Sequence, residues 1–206
     1  MKASILLIGG GGHCRACVDV LEQESRFQIA GVVERKGGPR EAVLGYPILG
    51  ADEDLTQLRE KYEFALVTVG QIKSATPRKR LYAQLLALGF QLPVIVSPRS
   101  YVSPHAKLGS GTIVMHDVLV NAGVHVGENC ILNSKSLIEH DAVIGDHCHI
   151  STGSILNGEA QIGHECFVGS GAVVREGVRV GVRSLVAGGA RVLRDLPENS
   201  NYKNSL

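Results

Sequence analysis

The second half of the chain carries an aliphatic residue at every sixth position. A small or short side chain (Ala, Thr, Val, Cys or Ser) stands two positions before each one, from Ala106 to Ala190. Six is a multiple of the strand period of two, so the aliphatic residues share one face of a strand, whereas a helix would scatter them. The aliphatic series is Val102, Leu108, Val114, Val120, Val126, Leu132, Ile138, Ile144, Ile150, Leu156, Ile162, Val168, Val174, Val180, Val186 and Val192.

A second period of 18 lies over the first. The residues that mark it are Gly109, Gly127, Gly145, Gly163 and Gly181. Three short strands therefore make one coil of a triangular prism, and coils stack at about 4.8 Å, the spacing of paired strands. Such a short repeat is typical of a β-solenoid. We expect these glycines to turn corners with positive φ.

Three cysteines repeat with the same period of 18, and all occupy the small inward position: Cys130, Cys148 and Cys166. A metal or disulfide ladder is one interpretation. Free cysteine also behaves as a small buried hydrophobe, and we favour that interpretation.

The first hundred residues lack the six-residue period and alternate between strand and helix patterns. Strands are predicted at residues 4–8, 28–33, 64–69 and 94–96, and helices at 16–22, 54–62 and 78–88. This alternation predicts a parallel sheet with helices on its faces, of Rossmann type. The predicted fold class is therefore α/β plus all-β, with a Rossmann-like domain at 1–98 and a parallel β-helix of hexapeptide repeats at 99–206.

A run of four glycines, residues 9–12, joins the first predicted strand to the first helix and ends at His13. Backbone N–H groups at the start of a helix attract phosphate. The dinucleotide pattern G-x-G-x-x-G is broken at Cys14, which favours a mononucleotide or a diphosphate-linked ligand over a full dinucleotide. Glu34, at the end of the second strand, is a candidate acceptor for a ribose or base. Cys14 and Cys17 are interpreted as helix packing.

The composition excludes several classes of function. The 206-residue chain has a net charge of +1, 4% aromatic residues and no Trp, which gives no case for nucleic acid or an anionic membrane. The sequence has no membrane-spanning apolar run, and we expect no secretory cleavage site. Five cysteines without a disulfide-like spacing favour a reducing compartment, so we expect a cytoplasmic protein.

Histidines are dense between residues 140 and 164. The six-residue register places His140 and His149 outside the prism, where we expect both to be exposed. Glu139 and Asp141 flank His140, and a carboxylate beside an imidazole can orient it and raise its basicity.

These features together resemble a known family. The repeat, the G-G-G-H turn and the segment LNSKSLIEHDAVIGDHCHISTG, residues 132–153, are similar to the NeuD/PglD-type sugar acetyltransferases. The resemblance spans residues 2 to about 193. It implies a left-handed coil, acetyl-CoA as cosubstrate, no metal, and a homotrimer with active sites between subunits. It further implies N-acetylation of a UDP- or GDP-linked 4-amino-dideoxy sugar in glycan biosynthesis.

The resemblance also implies roles for individual residues. His140 matches the general base, Asp141 its acidic partner, and the Gly158 N–H the donor that stabilises the oxyanion. The acetyl-CoA-binding set is His149, Gly158, Gly169, Ser170, Ala187, Gly188 and Gly189. The substrate-binding set is Gly10, Gly12, His13, Glu34, Arg35, Gly70 and Asn133.

Two departures from the family pattern bear on specificity. The family often has Asp-Asp where this chain has Glu34-Arg35, so the base need not be uridine. After Leu193 the family continues into a glycine–proline tail that contacts CoA, whereas this chain ends in NYKNSL.

Three alternatives remain open. The same site would serve O-acetylation of sialic acid or a related sugar. A metal-dependent lyase on the solenoid would need three converging histidines, drawn from His140, His147 and His149. A non-catalytic nucleotide-binding scaffold would require that acetyl-CoA does not bind.

Overall fold

A computed structural model describes residues 2–37 and 41–203 of the chain. Its first half is a sheet covered on both faces. Ile5 and Leu7 pack into the core that includes the first helix, while Leu6 and Ile8 pack with the other two helices. The elements are β1 (Ala3–Ile8), α1 (Gly12–Glu24), β2 (Phe27–Val33), β3 (Ala42–Val43), β4 (Tyr46–Gly50), a 3-10 turn (Asp52–Asp54), α2 (Leu55–Arg59), β5 (Phe64–Val67) and α3 (Thr76–Ala87).

The strand order of this sheet is β3-β4-β2-β1-β5, with every pairing parallel except that of the β3–β4 hairpin. The three predicted helices and the first three predicted strands are present with shifted ends. The hairpin was not predicted, because its two strands are short and have no clear period-two pattern. In α1 the buried residues Cys14, Cys17, Val18 and Leu21 follow helical spacing, which explains the C-x-x-C pair as packing.

The second half is the predicted triangular prism, and its strands fall at every sixth residue without interruption from Tyr101 to Val192. The first face holds β6 (Ile95–Val96), β9 (Ile113–Val114), β12 (Ile131–Leu132), β15 (His149–Ile150), β18 (Phe167–Val168), β21 (Leu185–Val186) and β23 (Asn201–Tyr202). The second holds β7 (Tyr101–Val102), β10 (Leu119–Val120), β13 (Leu137–Ile138), β16 (Ile155–Leu156), β19 (Val173–Val174) and β22 (Arg191–Val192). The third holds β8 (Lys107–Leu108), β11 (His125–Val126), β14 (Val143–Ile144), β17 (Gln161–Ile162) and β20 (Arg179–Val180).

The predicted pairing of one strand was wrong. The segment at 94–96 was expected to end the Rossmann-type sheet, but Ile95–Val96 pairs with Ile113–Val114 in the prism. Its backbone groups continue the first face of the prism by one more rung.

The three faces differ in what they expose, and we name them accordingly. The outward residues of the first face are buried from Ile95 to His149, where the N-terminal half packs against them, so we call it the covered face. The second face is the apolar face, because its outward residues are Tyr101, Leu119, Leu137, Ile155, Val173 and Arg191. The third is the polar face, with outward residues Lys107, His125, Val143, Gln161 and Arg179.

The glycine column has a different cause from the one predicted. None of its five glycines adopts positive φ. That conformation falls two residues later, at positions that include Asn129 (φ 50°) and His147 (φ 59°). A Cβ on Gly109 would lie 2.5 Å from the Gly127 carbonyl carbon, and a Cβ on Gly145 would lie 2.7 Å from the His164 nitrogen. The glycines are therefore required by close contact between successive coils.

The stacked cysteines form no disulfide; all five cysteines of the chain are free and buried. Each stacked thiol donates to the carbonyl of a glycine on the next coil. The S···O distances are 3.2 Å from Cys130, 3.0 Å from Cys148 and 3.1 Å from Cys166. The column is thus packing, as interpreted, with a hydrogen bond added at each step.

Polar contacts fix the N-terminal half to the prism. Lys79 Nζ lies 2.7 Å from Glu165 Oε1, and His116 Nε2 lies 2.8 Å from Asp19 Oδ2. Tyr82 donates from its hydroxyl to Glu128 Oε2 at 3.0 Å. These contacts hold the Rossmann-like half over the covered face and leave the other two faces of the prism open.

Candidate functional site

His140 and Asp141 form an exposed imidazole–carboxylate pair where the apolar and polar faces meet. The two residues lie in the corner between β13 and β14, and Asp141 has φ 57°. His140 Nδ1 lies 3.0 Å from Asp141 Oδ2, which leaves Nε2 free to take a proton. The hydrogen bond to Asp141 raises the pKa of His140, and the charges of Asp141, Glu139 and Glu159 act in the same direction. We call this corner the His140 edge.

Gly158 lies one coil further along the same edge, directly against the His140 ring. A Cβ at position 158 would lie 2.7 Å from both Cε1 and Nε2 of His140. Gly158 does not adopt positive φ, so the ring, rather than the backbone conformation, excludes a side chain there. Among the described residues, none accepts a hydrogen bond from the Gly158 N–H.

The glycine turn opens into a cavity of about 530 Å³ in the N-terminal half. Glu34 does not simply project into it. Its Oε2 accepts the Gly10 N–H at 3.0 Å, and a Cβ on Gly10 would lie 2.4 Å from that oxygen. Glu34 thus stabilises the glycine turn by accepting this hydrogen bond. The predicted residues that line this cavity are Gly10, Gly12, His13, Glu34, Arg35 and Gly70, joined by Gly9, Gly11, Asp52, Val69, Pro77, Arg80 and Leu81.

His149 does not have the environment predicted for it. It points out of the prism as the register requires, but the N-terminal half covers it and leaves it 7% exposed. Its Nδ1 donates to the Gln71 carbonyl at 2.6 Å, and its ring lies 6.3 Å from that of His13. Burial lowers the pKa of His149 to about 4 and that of His13 to about 3. Both imidazoles are therefore neutral at neutral pH.

Asn133 lies at a second corner, where the covered and apolar faces meet, and we call this corner the Asn133 edge. Its Nδ2 donates to His149 Nε2 at 3.1 Å. Five residues predicted to bind acetyl-CoA follow on the same edge in later coils: Gly169 and Ser170 in one, and Ala187, Gly188 and Gly189 in the next. A Cβ on Gly169 would lie 2.4 Å from the Gly188 nitrogen, so the coils here are in close contact.

The predicted site residues therefore fall into two groups within one chain. The cavity, His13, His149 and Asn133 form a continuous path from the glycine turn to the Asn133 edge. His140, Asp141 and Gly158 lie on the His140 edge, across the apolar face from that path. The His140 edge is also the edge opposite the covered face, so the chain's own N-terminal half does not reach it.

Two residues close to this path were missed from the sequence: Gln71 and Arg78. Both are buried, at 4% and 1% exposure, and both contact His149 or the groups around it. In the sequence Arg78 is one of several charged residues at the start of an amphipathic helix, and no pattern there indicates that it is buried. The only sequence signal for Gln71 is that it follows Gly70, the residue after the strand predicted at 64–69.

Across residues 2–37 and 41–203, no group of three His, Cys, Asp or Glu side chains is arranged to hold a metal ion. In the same residues, no helix is both long and apolar enough to cross a membrane.

Family models match both halves of the chain. The PglD N-terminal domain matches residues 4–85, and the GMPPB C-terminal domain matches residues 91–197. No match to the chain exists among curated proteins.

Solved structures match almost the whole chain. A histidine-to-asparagine variant of perosamine N-acetyltransferase from Caulobacter crescentus, in complex with CoA and GDP-perosamine, is 32% identical. The match covers 97% of this chain and 92% of that chain, with a TM-score of 0.90. The acetyltransferase domain of PglB from Neisseria gonorrhoeae, in complex with acetyl coenzyme A, is 29% identical and covers 96% and 94%, with a TM-score of 0.87. These matches confirm the predicted fold class, a Rossmann-like domain followed by a left-handed parallel β-helix. WeeI from Acinetobacter baumannii, at 20% identity and a TM-score of 0.78, shares the fold.

Proposed function

Because the chain belongs to the NeuD/PglD-like family of sugar acetyltransferases, we propose that it transfers the acetyl group of acetyl-CoA to the amino group of a nucleotide-linked amino sugar. The observation that carries the proposal is the His140–Asp141 pair packed against Gly158. A GDP-linked 4-amino sugar is the favoured acceptor, because the Caulobacter crescentus relative is in complex with GDP-perosamine. The product would serve glycan biosynthesis.

His140 acts as the general base. Its Nδ1 is engaged by Asp141, so Nε2 takes a proton from the acceptor amine as the nitrogen attacks the thioester carbonyl. A C–N bond forms, and the tetrahedral oxyanion accepts a hydrogen bond from the Gly158 N–H. The C–S bond then breaks, and the sulfur of CoA takes the proton from His140. No acyl-enzyme is required.

Acetyl-CoA lies along the Asn133 edge in this proposal, over Gly169, Ser170 and residues 187–189. Asn133 and His149 stand at the reacting end. The nucleotide occupies the cavity at the glycine turn, where Arg35 and Arg80 provide positive charge for its phosphates. Glu34 would act on the ligand through Gly10 rather than by direct contact with the ribose.

A homotrimer would bring the two edges together. The apolar face exposes Tyr101 (57%) and Leu119 (38%), and Leu137, Ile155 and Val173 continue the same row. Contiguous apolar surface of this kind marks an interaction site. If three prisms turn this face towards a common axis, the His140 edge of each subunit meets the Asn133 edge of the next. The active site would then lie between subunits.

We propose a cytoplasmic location for the enzyme. All five cysteines are free, which suits a reducing compartment.

The test compares His140→Ala with His164→Ala. His164 is an exposed histidine with its own carboxylate partner, Asp146, at 3.1 Å, but it lies on the edge between the polar and covered faces. With acetyl-CoA and GDP-perosamine, loss of the general base lowers kcat by about 10² or more, while His164→Ala keeps wild-type turnover. Release of the CoA thiol measures the rate, and light scattering checks that both variants keep the wild-type mass. Full activity of His140→Ala would end the assignment.

A further inference from the structure

A directed chain of hydrogen bonds runs from the Asn133 edge into the N-terminal half. The Ser134 N–H donates to Asn133 Oδ1 at 2.8 Å, and Asn133 Nδ2 donates to His149 Nε2 at 3.1 Å. His149 Nδ1 then donates to the Gln71 carbonyl at 2.6 Å. The peptide N–H can only donate and the carbonyl can only accept, so the two ends set the direction of every bond between them.

The Gln71 side chain is held at both ends of its amide. Arg78 Nη1 donates to its Oε1 at 3.2 Å, and its Nε2 donates to the Cys166 carbonyl on the prism at 3.2 Å. These bonds fix the loop after β5 against the covered face. They therefore also fix the position of the Gln71 carbonyl, which is the acceptor for His149.

Arg78 is a buried cation, and its hydrogen-bond acceptors among the described residues are all neutral. Its Nη2 donates to Asn129 O at 2.6 Å and to Asn129 Oδ1 at 3.0 Å, so it joins the N-terminal half to the prism. Burial lowers the pKa of Arg78 to about 10, which still leaves it charged at neutral pH. A buried charge that is hydrogen-bonded only to neutral groups costs stability.

We propose that Arg78 and Gln71 are positioning residues that hold the His149 ring in one neutral tautomer, with the proton on Nδ1. In that tautomer Nε2 carries a lone pair that orients the Asn133 amide. The second N–H of Asn133 is then free to donate to a ligand on the Asn133 edge. Both ring nitrogens of His149 are engaged, so His149 acts through Asn133 and not as an acid or a base. The part about the ligand rests on the proposed function, whereas the tautomer does not.

The charges around His149 support this role. The groups that face it are His13 from α1, Arg78 from α3 and the Phe167 ring from β18, and none of them is acidic. Burial is the main cause of the low pKa of His149; the hydrogen bond to the Gln71 carbonyl raises this pKa in part, and the Arg78 charge lowers it further. The same charge lowers the pKa of His13. The Arg78 charge thus opposes protonation of both His149 and His13.

The first measurement needs no variant. Long-range ¹H–¹⁵N spectra of the full-length wild-type protein report which ring nitrogen of His149 carries the proton. We expect the Nδ1–H form alone between about pH 5 and 8, since the pKa of His149 is about 4. A proton on Nε2, or a doubly protonated ring at pH 6, would overturn the proposal whatever the enzyme's activity.

The second measurement compares Arg78→Met, Arg78→Lys and Lys79→Met. Lys79 is the matched control, because it is the next residue of α3 and bridges the same two halves through Glu165. In Arg78→Met we expect a raised His149 pKa, mixed tautomers and a fall in kcat of about 10²-fold, the cost of displacing a positioning group by about 1 Å. Arg78→Lys recovers the neutral ring in part, and Lys79→Met matches the wild type in spectrum and rate.

The outcomes separate this proposal from the proposed function. A wild-type tautomer and pKa in folded Arg78→Met would overturn the role of Arg78. Failure of Arg78→Met to fold would leave the wild-type spectrum and Arg78→Lys as the deciding measurements. An altered tautomer in Arg78→Met with unchanged turnover would overturn the link to Asn133 and leave the assignment of His140 intact.

Discussion

A single methyl group placed at Gly158 tests the geometry on which the proposed chemistry depends. The Cβ of Gly158→Ala would lie 2.7 Å from the His140 ring, where ordinary contact begins at 3.4 Å, so the ring must move by roughly 0.7 Å. His140 is exposed and free to move, so the fold accommodates the change. The same register position holds His140 one coil earlier and Glu176 one coil later, which shows that the backbone there accepts a side chain.

The expected effect is therefore on rate and not on stability. A displacement of about 1 Å in a reacting group can cost about 10²-fold, so we expect kcat to fall by about 10- to 100-fold. The unfolding midpoint should stay within a few degrees of the wild type, because Gly→Ala at an unstrained position is neutral or slightly stabilising. The alanine keeps the backbone N–H, so loss of the oxyanion donor does not enter the result.

The assay is steady-state release of the CoA thiol, with a double-mutant cycle through His140→Ala. If Gly158→Ala acts through the ring, it adds no further loss once the ring is removed. Wild-type kcat in Gly158→Ala would refute the packing of His140 against Gly158. If the losses in kcat of the two single variants add in the double variant, Gly158→Ala does not act through the His140 ring.

Two further predictions concern the partner of the base and the apolar face. Asp141→Asn should move the acid limb of kcat/KM to lower pH, because the pKa of His140 is raised chiefly by its hydrogen bond to Asp141, and the imidazolium loses that stabilisation. An acid limb that stays in place in a pH–rate profile would contradict this. Ile155→Glu should convert the proposed trimer to monomers by light scattering, since it would place three like charges around one axis, whereas Gln161→Glu on the polar face should keep the wild-type mass. Equal masses for the two variants would argue against the apolar face as the interface.

The prism was predictable from the sequence because its side chains obey one rule at every coil. The period of six sorts residues into inward and outward positions, and the strands follow it from Tyr101 to Val192. The cause of the glycine column was not predictable in the same way. The sequence does not distinguish a glycine that close contact requires from a glycine that positive φ requires. Gly109 and Gly145 are required by close contact.

The candidate site was predicted less well where the two halves meet. The register shows that His149 points outward, but not that the loop carrying Gln71 covers it. Burial of Arg78 depends on the same docking, and a single charged residue in a helix carries no sign of it. The exposure of His140 was predicted correctly. The N-terminal half packs on the face opposite the His140 edge and does not cover that edge.

The column of thiols has a consequence for how this half of the chain can change length. Thr112 donates to the Gly127 carbonyl as Cys130 does to that of Gly145, so successive coils repeat one hydrogen-bonding step. An insertion or deletion of 18 residues, or of a multiple of 18, restores that step on both sides, whereas other changes within a coil move the inward donors out of register with their acceptors. Each added coil would move everything beyond it by about 4.8 Å along the prism. Evolution can therefore adjust the distance between the reacting end and the far end of a long cosubstrate in whole coils.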